Sequence, residues 1–311
     1  MVRATPRDLV EEPLVLAVDL GGTRMRAALV GPDGAMVHRH EQPTPRDVPC
    51  PDALDELVGH VRGHGDPARA VVGVPGLVDY DRGRLEHAPN LPPGWADAIS
   101  ASQFAATLGL PVALVNDADL AALGEARFGA GRDARDVVYM TVSTGVGAGV
   151  VLDGHLVHGR HSGAEIGHTI LDLSAHRDGR PATVEQLGSG TALARAAGDA
   201  GLPLDGAAVV ERVRAGDPVA TAVWDDVVAA VAAAAANLAH LFTPQVIVLG
   251  GGVSQAGDLL VEPLRAFVAQ HGPALRSDAI AVVTADLGDD AGLVGAAAWP
   301  ATSPDVAPSG G

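Results

Sequence analysis

The sequence predicts an α/β fold made of two related halves, and three observations carry that prediction. Short apolar runs alternate with stretches of helical periodicity, which implies a largely parallel or mixed sheet. A pattern of strand, glycine-rich turn, strand, turn, strand begins near Leu14 and again near Val137, and repetition on that scale marks a duplicated fold. At 311 residues and 47% hydrophobic, the chain is long enough to bury two cores.

In the first half, Leu14 to Val18 is a continuous apolar run ending in Asp19-Leu-Gly21-Gly22-Thr23, and Met25 to Val30 reads as its hairpin partner. Pro32-Asp33-Gly34 is a turn, after which Ala35 to His40 supplies a third strand. Leu54, Leu57, Val58 and Val61 recur at helical spacing. A buried strand at Ala70 to Val74 stops at Pro75-Gly76, and Asn90-Leu-Pro-Pro-Gly94-Trp95 is a loop leading into a helix. Pro111 can open a strand but not sit inside one, so Val112 to Val115 is the next strand. It stops at Asn116-Asp117 and turns helical, with Leu120 and Leu123 spaced to share one buried face.

The second half restarts with Val137 to Val142, the turn Ser143-Thr144-Gly145-Val-Gly147-Ala-Gly149, a strand through Leu152, the turn Asp153-Gly154 and a short third strand. An alanine-rich helix runs from Pro218, a residue suited to a first helical position, to Phe242. A buried strand, Val246 to Leu249, ends in Gly250-Gly251-Gly252. A helix after Gly257, a strand at Ile280 to Thr284 and a final helix opening at Gly288-Asp289-Asp290 complete the order. The expected division is a first domain over 1–118, completed by the helix at 290–300, and a larger second domain over 119–289; residues 301–311, rich in Pro, Gly and Ser, read as a disordered tail.

Charge narrows the function. A net charge of −17 argues against nucleic acid or an anionic membrane as partner, since phosphate neutralisation needs clustered cations. The chain has no lysine, so no P-loop is present and phosphate must be held by backbone N–H groups, hydroxyls, arginine or metal. The most apolar stretch, Val227 to Leu249, is interrupted by Asn237, His240 and Pro244 and is not expected to span a bilayer. Cys50 is the single cysteine, which leaves no intrachain disulfide and no thiolate cage and suggests a cytoplasmic enzyme.

Three glycine turns carry the chemistry. Asp19-Leu-Gly21-Gly22-Thr23, Ser143-Thr144-Gly145-Val-Gly147 and Gly250-Gly251-Gly252 each stand at a strand's end, where glycine lets the backbone approach an anion and hydroxyls add donors without bulk. Each alone would serve as an ordinary turn. A strand rather than a helix follows Gly22, so the first is no dinucleotide fingerprint. Together, three cradles around one cleft suit a nucleotide triphosphate. Asn116 and Asp117 stand at a strand's carboxyl end, where open α/β sheets handle ligands, although an Asx there would also cap the helix. Glu165-Ile-Gly-His168 puts a carboxylate three residues from an imidazole, and Glu185 precedes Gln-Leu-Gly188-Ser-Gly190-Thr, where a first-turn helix acid is equally at home.

From Leu14 to Ala298 these residues resemble the ROK family of sugar kinases and repressors, its bacterial glucokinases above all. The resemblance is carried by Leu-Gly-Gly-Thr23, Gly73-Val-Pro-Gly76, Asn90-Leu-Pro with Gly94-Trp95, Asn116-Asp-Ala with Ala122-Leu-Gly-Glu125, Thr144-Gly-Val-Gly147, Glu165-Ile-Gly-His168, Ser189-Gly-Thr191, Leu249-Gly-Gly-Gly252 and Leu287-Gly-Asp-Asp-Ala291-Gly. It implies an actin-like ATPase, ribonuclease H-like fold whose two domains close on ATP and sugar. It also implies that Asp117 is the base for the sugar hydroxyl, that Gly76, Asn90, Asn116, Glu165, His168 and Glu185 bind the sugar, and that the enzyme is a homodimer or homotetramer. Asp19, with the three glycine turns around ATP, is the carboxylate placed near Mg²⁺.

One departure stands out. The family binds structural zinc through the histidine matching His168 and a cysteine cluster a dozen residues on, but Thr169 to Val184 holds no cysteine. No structural zinc is expected, and His176 and Asp178 belong to a solvated loop. Asp119, where the family commonly has an amide, is expected to add negative charge near the sugar. The function expected is transfer of the γ-phosphate of ATP to the 6-hydroxyl of glucose or a close hexose. An amino-sugar kinase of the kanosamine or N-acetylhexosamine type is the alternative, and a non-catalytic ROK sugar-sensing regulator is the second. Sugar and ATP are expected on opposite walls, with Asp19, Asn116 and Asp117 facing Thr144, Glu165 and Gly250 to Gly252. The crossings after Asp117 and near Gly288 to Gly292 would form the hinge.

Overall fold

The computed structural model describes residues 13–162, 164–274 and 279–300. The tail at 301–311 lies outside the described residues. The first half contains β1 (Leu14–Leu20), β2 (Arg24–Val30), β3 (Met36–Pro43), α1 (Cys50–Arg62), β4 (Pro67–Val74), a small hairpin of β5 (Leu77–Asp79) and β6 (Arg84–His87), α2 (Trp95–Ala98), α3 (Ala101–Leu108) and β7 (Val112–Asn116). After α4 (Asp117–Arg127) the second half contains β8 (Val137–Val142), β9 (Val146–Leu152), β10 (His155–Leu156), α5 (Leu173–Arg177), α6 (Val184–Gly188), α7 (Gly190–Asp199), α8 (Gly206–Arg214), α9 (Pro218–Phe242), β11 (Val246–Gly250), α10 (Asp258–His271), β12 (Ala281–Thr284) and α11 (Ala291–Ala298).

The duplication is visible in the topology. One sheet has the order β3-β2-β1-β4-β7 and the other β10-β9-β8-β11-β12. In both, a hairpin and a further antiparallel strand are followed by two parallel strands, so chain order across each sheet is third, second, first, fourth, fifth.

Strands covered on both faces read as unbroken apolar runs, and β1 shows why. Leu16, Val18 and Leu20 join Leu54, Leu57, Val58 and Phe104 in one core, while Val15 and Ala17 face Leu293 and Ala296 of α11. The core of the second half is built on Val138, Met140, Trp224, Val231, Leu238, Ile247 and Leu249. Helix α9, among the described residues the one helix long and apolar enough to cross a membrane, spends that apolar surface inside this core.

Helix α4 corrects the single-face expectation. Every residue from Ala118 to Glu125 is buried, with Leu120 packed among first-sheet residues and Ala121, Ala122 and Leu123 among second-sheet residues. The helix is sandwiched, so it needs small residues on several sides. A Cβ on Gly124 would overlap the Ala291 carbonyl, and one on Gly295 would overlap the Leu120 carbonyl, so α4 and α11 meet backbone to backbone. Final-helix geometry also starts later than expected: Gly288–Asp290 is a 3₁₀ turn and α11 begins at Ala291.

Candidate active site

Chain geometry places Asp117 first. Strand β7 ends at Asn116, whose side-chain oxygen accepts from the N–H groups of Ala118 (2.9 Å) and Asp119 (3.1 Å) and so caps α4. Asn116 Nδ2 donates to the Gly76 carbonyl at 2.9 Å, tying the β7 end to the turn after β4. The buried Asn116 therefore spends most of its amide on structure. The helix cap is Asn116, which leaves the Asp117 carboxylate free to face the cavity, held by the Ala118 N–H at 2.8 Å.

That cavity, of about 220 Å³, gathers the ends of four elements: Val18 and Asp19 of β1, Asp117 and Ala118 of α4, Thr141 and Ser143 at the end of β8, and Gly251-Gly252 after β11. Gly288, Asp289 and Gly292 close it from the return crossing. Gly251 holds φ +83°, and a Cβ there would overlap the Val142 carbonyl, so only glycine brings this backbone against the β8 turn. Strands of both sheets thus deliver their carboxyl ends to one space, as the switch-point rule expects.

Electrostatics single out the same residue. Asp117 is accessible from the cavity but crowded by both halves, and the lost hydration, with the negative charges of Asp19, Asp119 and Glu165, pushes its pKa up to about 7. Asp19 is also pushed upward, chiefly by burial, against the opposing pull of Arg26. Arg26 donates to Asp19 at 3.1 Å and to the Asp289 carbonyl at 3.0 Å, and Arg39 pairs with Asp290 at 2.8 Å. These two arginines lash β2 and β3 to the return crossing.

The other expected residues are spread over the surrounding turns and helices. Gly21, Gly22 and Thr23 form the tight β1–β2 turn, in which Gly21 N–H donates to the Arg24 carbonyl at 2.9 Å, and Gly22 lies against the Asn90 backbone. Only Asp19 of that segment lines the cavity. Thr144 and Gly145 make the β8–β9 turn, with Gly147 paired to Thr141 in β9; Ser143 and Thr144 carbonyls accept from Gly190 N–H and Thr191 Oγ1 (2.7 Å). Glu185, on α6, accepts from Val146 N–H at 3.0 Å and lies against Gly145, so this carboxylate braces the glycine turn. Gly250 packs on the Tyr139 ring. Glu165 and His168 approach to 3.8 Å across a 3₁₀ turn, His168 open to solvent and Glu165 less so; partial desolvation raises the Glu165 pKa, His168 opposes it and Glu185 adds to it. Gly76 takes φ +91° against His87, and Asn90 is exposed.

Asp119 acts from behind the site. It is wholly buried and its Oδ2 accepts from Tyr80 OH at 2.6 Å, while the same hydroxyl accepts from Asn116 N–H at 3.2 Å. Its charge reaches the site only through the field on Asp117, not as a surface offered to a sugar. Sequence reasoning missed Arg26 and Thr141, and placed Asp289 only in the hinge and not in the cavity lining. Arg26 had a usable signal: a hairpin turning at Gly21 to Thr23 sets Asp19 opposite Arg26. Among the described residues, Thr169 to Val184 contains α5 and a bridge between Ile170 and Thr183.

The chain is similar to known proteins over most of its length. Residues 15–302 match the ROK family. A glucokinase from Thermotoga maritima is 32% identical over 91% of this chain and 96% of its own. An N-acetylmannosamine kinase from Escherichia fergusonii is 34% identical over 91% of this chain and 96% of its own. The crystal structure of a ROK family glucokinase from Streptomyces griseus in complex with glucose and AMPPNP superposes with a TM-score of 0.76 at 32% identity, covering 91% of this chain and 98% of that one.

Proposed function

The chain belongs to the ROK family, and we propose that it works there as a glucokinase-type enzyme, transferring the γ-phosphate of ATP to the 6-hydroxyl of glucose or a close hexose. The observation that carries this is Asp117: a carboxylate with a pKa near 7, on the floor of a cavity shared by the strand ends of both sheets. A general base works best when its pKa lies near the operating pH. The glucokinase relatives and the glucose-bound neighbour supply the sugar class.

In this reading Asp117 takes the proton of the attacking hydroxyl, and Glu165, His168 and Glu185 fix the remaining hydroxyls, with Asn116 contributing its spare amide hydrogen. The N–H groups of the turn at 250–252 and the hydroxyls of Thr141 and Ser143 hold phosphate oxygens. Asp19, Asp117 and Asp289 give the cavity hard oxygen donors of the kind Mg²⁺ takes, so the residues fit that ion, and Asp19 would hold it through water. When bound, Mg²⁺ neutralises phosphate charge. In this reading the described residues of 13–118 with 290–300 make one lobe and those of 119–289 the other, each bearing one sheet. A cytoplasmic homo-oligomer completes the proposal; the single cysteine, Cys50, is buried and its thiol is pushed up to about 12 by that burial.

Of the two features behind the amino-sugar alternative, the cysteine-free loop and Asp119, the second is buried and held by Tyr80. An ADP-release assay over glucose, mannose, N-acetylmannosamine and kanosamine decides the matter. Glucose should give the highest kcat/KM; a higher value for either amino sugar would move the substrate assignment.

A further inference from the structure

The first turn of α4 enters the cavity that holds Asp117. The last turn of the same helix, about 15 Å away at 1.5 Å per residue, enters a second and larger cavity of about 520 Å³. Pro32 and the α11 residues Ala297 and Ala298 wall it on the first-sheet side; Val151 and the turn at Asp153 and Gly154 wall it on the other. Three arginines line it, Arg127, Arg132 and Arg135, against one carboxylate, Asp153.

That concentration is unusual in a chain of net charge −17 without lysine. Arg135 pairs with Asp153, and Arg132 pairs with Asp286 at 3.2 Å. Arg127 is exposed and, among the described residues, has no hydrogen bond or ion pair. A solvated arginine in a helix's last turn is ordinary, since it complements the helix dipole. Here, however, three guanidiniums share a concave space with apolar Leu123, Ala126 and Phe128 at its base. The C-terminal dipole amounts to about half a negative charge, and with Arg132 and Arg135 each paired to an aspartate the lining keeps a surplus of one positive charge, that of Arg127. The net field favours an anion, and guanidinium forks match the oxygens of a phosphoryl group.

We propose that this cavity is a second small-molecule site, taking a phosphorylated metabolite between the two halves of the molecule at the far end of α4. The free guanidinium of Arg127 is its principal contact, and Arg132 and Arg135 turn from their aspartates to share the phosphoryl group.

The test is isothermal titration calorimetry of the full chain at about 0.15 M salt, where long-range surface attraction is screened, with the first cavity saturated by glucose and Mg·AMPPNP. Failure of the kinase reading would show at this loading step, before any phosphate is added. Inorganic phosphate and glucose 6-phosphate are then titrated separately. One equivalent should bind, Arg127→Glu should weaken it at least tenfold, and Ala126→Trp, which fills the cavity base, should do the same, while both variants keep wild-type glucose turnover. Arg127 is exposed, so its replacement leaves folding intact. Tighter binding of glucose 6-phosphate identifies a sugar phosphate as the ligand, and equal binding identifies the phosphoryl group alone. No binding with the first cavity filled, or binding indifferent to Arg127→Glu, overturns the proposal.

Discussion

A carboxylate whose pKa is raised to about 7 makes two opposite demands on one residue. For catalysis, Asp117 must be ionised, so kcat/KM for the sugar should rise with pH along a limb centred near 7 and level off above it. For stability the sign reverses. Between the ordinary carboxylate range and pH 7 the folded protein binds this proton more tightly than the unfolded chain, so the residue costs the fold stability as pH rises through that window. Asp117→Asn should therefore melt higher than wild type at pH 8 and at the same temperature near pH 4. An acid limb near pH 4, or a variant less stable at pH 8, would contradict the assigned environment. Asp117 and Asp19 were legible because each ends an apolar run beside glycine or helix signals. Tyr80 was not, since its hydroxyl reaches Asn116 and Asp119 only through a fold that brings positions 36 and 39 residues apart together.

At the scale of elements, α4 is the joint of the molecule. Its buried Glu125 accepts from Leu287 N–H at 2.8 Å, Asp286 N–H at 3.1 Å and Ala130 N–H at 2.8 Å, so one side chain fixes the return crossing to the end of the outgoing helix. Glu125→Ala would leave three part-buried donors without that partner, at a cost of about 3 kcal/mol, and Glu125→Gln should recover part of it. Denaturant unfolding measures both; a loss under about 0.5 kcal/mol for the alanine variant would deny the clamp its role. Period and turn chemistry located the principal strands and the long helix, because apolar runs and glycine turns are local signals. The β5–β6 hairpin escaped because its strands are three and four residues long and offer almost no periodicity. The all-round burial of α4 escaped because Leu120 and Leu123 report one face, whereas alanine and glycine hide the others.

Across the whole molecule, two sheets of one topology share a pair of close-packed helices, and the strand ends of both meet at Asp117. Duplication was readable from the recurrence of strand and glycine turn, while the shared helix layer was not, because it joins residues far apart in the chain, Leu120 to Gly295 and Gly124 to Ala291. With a joint this narrow, sugar binding should draw the lobes together and exclude water from the phosphate. Small-angle scattering should show a smaller radius of gyration with glucose, and an unchanged radius would argue for a rigid sugar binder. The most direct test follows the phosphorus itself. With glucose and Mg·ATP, ³¹P NMR should show one glucose 6-phosphate formed per ADP, while Asp117→Asn, still binding glucose by calorimetry, should fall by on the order of 10² to 10⁴ in rate. No sugar phosphate from the wild-type chain, or equal rates from the two proteins, would contradict the account.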